Sequence, residues 1–298
     1  MRITITDFKT VILIWVVTAL PLYSGGVRWN SSFFGDSYRD SEGQLLDSSW
    51  VFYLGYFSNT FAPTRQNQSQ WAANWVTLDI AEYDPAISQF EAVWSNDGAS
   101  SGNLGYIWGL NRSHPNNEWI LMTNDSWIVP LNSELIPDVN WETSNASVFV
   151  VGNQAEEQIF VTEKTVGEPP LLIGSQWLAW MFEPTEQNDP QVGGWDADPD
   201  NDGLSNLAEF AFGTKPQVAD TVQIEVVIEE GVFKFRSPKV RQVAVSYQGQ
   251  VSSELINWEG GFGQVVLERE EFSSLLFRDL NPILQGPRFA RVVVQLTQ

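Results

Sequence analysis

Oxygen-bearing side chains converge in one short stretch of the chain, Asp198-Pro-Asp200-Asn-Asp202-Gly203-Leu204-Ser-Asn206-Leu-Ala-Glu209. The order matches the calcium-loop pattern D-x-[DN]-x-[DN]-G-x5-E without a mismatch. Calcium is a hard ion that takes six to eight oxygen ligands in flexible geometry. Asp198, Asp200 and Asp202 alternate, so a turning backbone can bring their carboxylates to one side. Gly203 permits the sharp turn that a Cβ would obstruct. The Leu204 carbonyl can face an ion, and Asn206 can ligate directly or through water. Glu209 lies in the following helix and can close the shell with both oxygens. Four carboxylates and no Lys or Arg fall within the stretch, so they repel one another until a cation is bound. Asp196, just outside the pattern, is a candidate outer oxygen.

Run on into Phe210 and then Gly213-Thr-Lys-Pro216, this segment resembles the calcium loops of thrombospondin type 3 repeats and of dockerin-like modules in secreted bacterial proteins. In the latter, a short Trp-containing helix often precedes the loop and a small β module follows. The segment from Trp177 to Phe182 looks like that helix. The segments Ser252-Ser-Glu-Leu-Ile-Asn-Trp258 and Gly286-Pro-Arg-Phe-Ala-Arg291 are similar to that β module. Trp71-Ala-Ala-Asn-Trp75 and Gly105-Tyr-Ile-Trp-Gly109 look like a domain of uncharacterised exported bacterial proteins. Dockerins proper carry two loops and thrombospondin arrays carry many. This chain has a single loop, which argues against cohesin docking, array-type adhesion and the paired-loop calcium switch.

Composition narrows the chemistry further. The chain has no Cys, which excludes disulfides, thiolate zinc sites, iron–sulfur clusters and Cys nucleophiles. A formal net charge of −21 disfavours nucleic-acid phosphates, because like charges repel. The single His, His114, sits in the turn-forming run Asn111-Arg-Ser-His-Pro-Asn-Asn117 and reads as a loop residue. No G-x-S-x-G, H-E-x-x-H or P-loop is present. No catalytic residue can be named.

The elements that must hold the loop are mostly strands. The expected fold class is mainly β, with an N-terminal β-sandwich-like domain, a short helix–calcium loop–helix connector and a small C-terminal β-sandwich-like domain. The expected boundaries are a signal peptide over 1–26, a Trp-rich β domain over 27–165, a linker over 166–174, the connector over 175–216 and the C-terminal β domain over 217–298. Ser48 to Phe57 is apolar on both faces, as in a strand between two layers. Pro169-Pro170 rules out regular structure in the linker. Ser175 to Phe182 has helical spacing, with Ser175 as its expected cap. A second helix is expected over Leu204 to Phe212, ended by Gly213. Val222 to Ile228 and Gly231 to Arg236 should pair as a hairpin.

These features imply a secreted or cell-surface, non-catalytic protein with calcium-stabilised architecture and a structural or interaction role. Its expected partners are calcium and an extracellular polysaccharide or another surface protein, with no nucleic acid. The alternative is a carbohydrate-binding protein that uses Trp29, Trp50, Trp71, Trp75, Trp94, Trp108, Trp119, Trp127 and Trp141 of the N-terminal domain as a stacking platform. A hydrolase with an unrecognised site is the second alternative.

Export is expected from the N-terminus. Arg2 and Lys9 precede the apolar run Val11 to Tyr23, which is short of the ~20 residues of a spanning helix. Ser24-Gly25-Gly26 offers small residues for cleavage after Gly26, so contact with the membrane is confined to this segment. N-terminal sequencing of protein recovered from the periplasm or medium is expected to begin at Val27. Intact Met1 in a cytosolic fraction would overturn the export reading.

Overall fold

The computed structural model describes residues 26–32, 35–58, 60–95, 102–112, 117–130, 139–261, 263–281 and 286–297. Residues 1–25 of the expected signal peptide and His114 lie outside them. The chain is mainly β, with 46% strand and 12% helix.

A six-stranded antiparallel sheet forms the centre of the N-terminal part. Glu163–Lys164, Glu118–Ile128, Leu104–Asn111, Trp50–Phe57 and Trp75–Glu82 run across it in that order, and Val148–Val151 also pairs with Glu118–Ile128. Both faces of Trp50–Phe57 are apolar, as the sequence requires. Trp50, Phe52 and Leu54 face one hydrophobic cluster, while Val51, Tyr53 and Phe57 face another. Asn124-Asp125, which reads as a break, lies inside the continuous strand Glu118–Ile128. The ladder with Leu104–Asn111 absorbs it as a register shift between Leu104 and Tyr106.

Two three-stranded sheets also contribute to the first cluster. In one, Gly26–Asn30 lies between Glu91–Ser95 and Val139–Glu142 and brings Val27, Trp29, Trp94 and Trp141 inward. In the other, Ile159–Val161 lies between Asn153–Glu156 and Ser37–Arg39 and contributes Phe160 and Tyr38. All nine Trp of this part are buried, at 9% exposure or less. None offers an open indole face to a sugar, which removes the stacking platform that the carbohydrate alternative needed.

The second face of the central sheet is covered by a short helix of the same domain together with residues expected to lie outside it. The helices are α1 (Trp71–Asn74), α2 (Gly174–Met181), α3 (Pro184–Gln187) and α4 (Asn206–Phe212). Trp71 of α1, Trp177 of α2, Phe182 and Phe210 of α4 join Trp108 and Trp119 in one cluster. The helices around the acidic loop are therefore part of a core and do not hang between two cores. Helix α2 begins at Gly174, and Ser175 is not its cap; the Gln176 side chain instead accepts from the Ile173 N–H at 3.4 Å. Helix α4 begins at Asn206 because Ser205 caps it, its hydroxyl accepting from the Ala208 N–H at 3.4 Å. Gly213 ends α4 with φ 81°, the left-handed geometry expected of it.

The C-terminal part is a two-sheet sandwich. Glu225–Glu229, Val232–Pro238, Ser274–Asp279 and Val265–Glu270 form one sheet, and Glu259–Gly260, Val245–Ser252 and Phe289–Leu296 form the other. The expected hairpin pairs Glu229 with Val232. Phe233, Phe235, Val251, Val265, Leu275 and Phe277 fill the space between the sheets.

The 166–174 stretch departs from the expected linker. Leu172 is buried and bridges Val243 in parallel register. Val166 N–H donates to the Gln68 side chain at 3.0 Å. Prolines exclude regular structure here, but they leave carbonyls free to be held from elsewhere. Arg112, itself buried, supplies the donors. Its guanidinium donates to the carbonyls of Pro170, Arg241 and Gln242 and to the Tyr53 hydroxyl, so one side chain fastens the central sheet to both later segments.

Arg112→Ala removes the guanidinium donors of the buried Pro170 and Arg241 carbonyls and is expected to lower stability by about 3 kcal/mol in urea denaturation. Arg112→Lys is not expected to rescue it, because an ammonium cannot reproduce the planar fork.

Candidate metal centre

The acidic loop is closed at its base before any cation is considered. Trp195 stacks on Trp177 at 5.7 Å and packs against Phe210 at 5.6 Å. The first N–H groups of α4 turn back onto the chain that precedes the loop. Asn206 N–H donates to Ala197 O at 2.9 Å, and Leu207 N–H donates to Trp195 O at 3.1 Å. These bonds satisfy donors that a helix start leaves free, and they fix both ends of the loop against a buried aromatic stack.

Inside that frame, oxygen atoms of Asp198, Asp200 and Asp202 come within 4.8 Å of one another. Backbone N–H groups hold them there. Asp202 N–H donates to Asp198 Oδ1 at 3.2 Å and to Asp200 Oδ1 at 3.1 Å. Gly203 N–H donates to Asp198 Oδ2 at 3.0 Å, and Leu204 N–H donates to Asp202 Oδ1 at 2.7 Å. Gly203 has φ 95°, a conformation that side-chain-bearing residues rarely adopt. Leu204 sits in the turn immediately before the Ser205 cap.

Asn206 has two functions at once. Its amide nitrogen donates to Val192 O at 2.7 Å and to Gly194 O at 2.8 Å, which fixes the amide orientation. Its Oδ1 is buried and has no hydrogen-bond partner. Glu209 is fully buried, and both of its carboxylate oxygens lack a partner, as does Asp200 Oδ2. Burial, followed by the charges of Asp200, Asp202, Asp198 and Asp220, pushes the Glu209 carboxyl up to about 8. Lys215, the nearest cation in sequence, pairs with Glu82 at 2.6 Å.

Buried acceptors without donors are costly, and buried unpaired charge more so. Unpartnered atoms on Asp200, Asn206 and Glu209 at one acidic loop therefore fit a bound cation. The donor set consists of oxygen atoms, with no sulfur or imidazole, which suits a hard ion such as calcium. Asp198, Asp200, Asp202, Leu204 through its carbonyl, Asn206 and Glu209 are the residues that could hold it. Asp196 is exposed, and neither Asp196 nor Glu209 belongs to the group whose oxygens lie within 4.8 Å of one another, which is Asp198, Asp200 and Asp202 alone.

Two contributors are not legible in the loop pattern. The carbonyls of Val192 and Gly194 orient Asn206 from upstream. Asp220 approaches from beyond α4, its N–H donating to Asp202 Oδ2 at 2.7 Å. Neither position belongs to the consecutive motif, and no periodic signal marks them.

Glu209→Gln should change sign with conditions. Above pH 8, where the wild-type carboxyl is ionised, the variant is expected to melt higher than wild type in chelator, because a buried unpaired charge is gone. In millimolar calcium the order should reverse, because an amide cannot supply two anionic oxygens. No protein-family model matches the chain, and no curated protein matches it.

Proposed function

We propose that this is an exported, non-catalytic protein of the cell surface or extracellular space, in which calcium acts as a structural staple. The observation that carries the reading is the set of buried, unpartnered acceptor oxygens on Asp200, Asn206 and Glu209 beside the Asp198–Asp200–Asp202 cluster. The thrombospondin type 3 and dockerin-like resemblance of the loop supports it.

The placement of α4 favours a staple over a signal. Glu209 and Phe210 are neighbours on that helix, one buried within reach of the charges of Asp200, Asp202 and Asp198 and the other packed in the aromatic core. The carbonyl of the next residue, Ala211, accepts from Val240 N–H at 3.1 Å and from the Tyr247 hydroxyl at 2.6 Å. A cation held by Glu209 thus fixes a helix that both β units use. Modules outside cells typically bind calcium at ~10⁻⁴–10⁻³ M, which keeps the site loaded after export. The role so stabilised is structural or interactive, toward a surface protein or an extracellular polysaccharide.

Titration calorimetry on the mature chain should show one calcium site in that millimolar range. At a calcium concentration 100 times the dissociation constant, the folded state should gain about 2.7 kcal/mol, read as a higher thermal midpoint than in chelator. Asp198→Ala should lose most of that gain. No heat at millimolar calcium, or a midpoint indifferent to chelator, would reduce the loop to an acidic helix cap.

A further inference from the structure

After α4, the chain returns to the acidic loop instead of leaving directly for the C-terminal sandwich. Thr214 N–H donates to Glu209 O at 3.3 Å as the helix ends. Lys215 reaches outward and pairs with Glu82 of the central sheet at 2.6 Å. Val218 N–H donates to Lys215 O at 3.1 Å, which folds the segment back on itself. Lys215 N–H donates to the Asp220 carboxylate at 3.3 Å, and Asp220 N–H donates to Asp202 Oδ2 at 2.7 Å. The stretch 213–220 is therefore a strap. It leaves from the helix that carries Glu209 and closes on the carboxylate of Asp202.

Asp202 is the pivot of this closure. One of its oxygens accepts from Leu204 within the loop, and the other accepts from Asp220 at the end of the strap. Its orientation toward the cluster is thus set by the strap as well as by the loop. The Asp220 carboxylate adds a further negative charge close enough to act on Glu209. Without a cation, that charge opposes the closure that the backbone bond favours. With one, charge attraction and hydrogen bond act together.

We propose that Asp220 is a positioning residue of the cation centre, and that cation binding closes the 213–220 strap at the threshold of the C-terminal sandwich. This rests on the calcium reading above. Asp220 acts through Asp202 and through its charge, and it is not assigned as a direct ligand. Cation occupancy is thereby passed to the residues that lead into the strand Glu225–Glu229.

The test uses the full mature chain and calcium alone. Hydrogen exchange followed by mass spectrometry should show peptides spanning 214–221 protected by calcium and opened by chelator. Calorimetry should show Asp220→Asn weakening calcium binding by about tenfold, with Asp220→Glu recovering most of the loss. Asp220→Ala keeps the backbone N–H, so a comparable loss there assigns the effect to the carboxylate. If wild type binds calcium but exchange in 214–221 does not change, or if Asp220→Asn binds as tightly as wild type, the strap proposal is wrong while the calcium reading stands. If wild type binds no calcium, both are wrong.

Discussion

Glu209 places a carboxylate with no exposed surface one residue from Phe210, which packs on Trp177 and Trp195, and the charges acting on that carboxylate are Asp200, Asp202, Asp198 and Asp220. A negative group in that position is tolerated in two ways: it takes up a proton, or it meets a cation. The surrounding chain fits the second. The Asp side chains are held by backbone donors, Asn206 is locked by its nitrogen so that its oxygen stays free, and the base of the loop is closed by helix-start N–H groups. None of these contacts neutralises the charge. They hold the negative oxygens close together, which is favourable only around a positive ion.

That centre matters beyond its own loop because of how the β layers share material. The central sheet has two apolar faces, and its own domain covers only one of them completely. The other is closed by α1 of that domain together with α2 and α4, so the helices beside the acidic loop are part of the wall of a core. The C-terminal sandwich then leans on α4 through Val240 and Tyr247, and on the central sheet through Arg112 and through Arg241, which donates to Asn117, Gly167 and Glu168. Two buried guanidiniums and one acidic loop thus tie together units that a sequence reading treats as beads on a string.

The clustering of Asp198, Asp200 and Asp202 was legible because it is local. The alternation of Asp198, Asp200 and Asp202, followed by Gly203 and Glu209, is set by the chain's own turn and needs no distant partner. Asp220 was not legible, since its approach depends on where the strap returns after α4. The start of α4 was misplaced by two residues because Leu204 fits the apolar spacing, yet the Ser205 hydroxyl decides where the helix begins. The linker was misread for a related reason. Pro169 and Pro170 exclude a helix or a ladder there, but they do not prevent a distant Arg112 from holding the Pro170 carbonyl. Burial of the nine Trp could not be judged from pattern either. When both faces of a strand are apolar, alternation no longer distinguishes core from surface, and only the second layer shows which it is.

The strand Gly26–Asn30 lies between two strands that come much later in the chain, Glu91–Ser95 and Val139–Glu142, and its Trp29 is directly opposite Trp141 in parallel register. A strand inserted between later neighbours cannot complete its ladder until both have arrived. The first described strand is therefore among the last to be locked, and its contacts carry high contact order. The acidic loop, by contrast, is assembled from near neighbours in sequence. During folding, the two regions would mature out of chain order. The N-terminal strand would wait, with Val27 and Trp29 uncovered, until residues 139–142 had joined it.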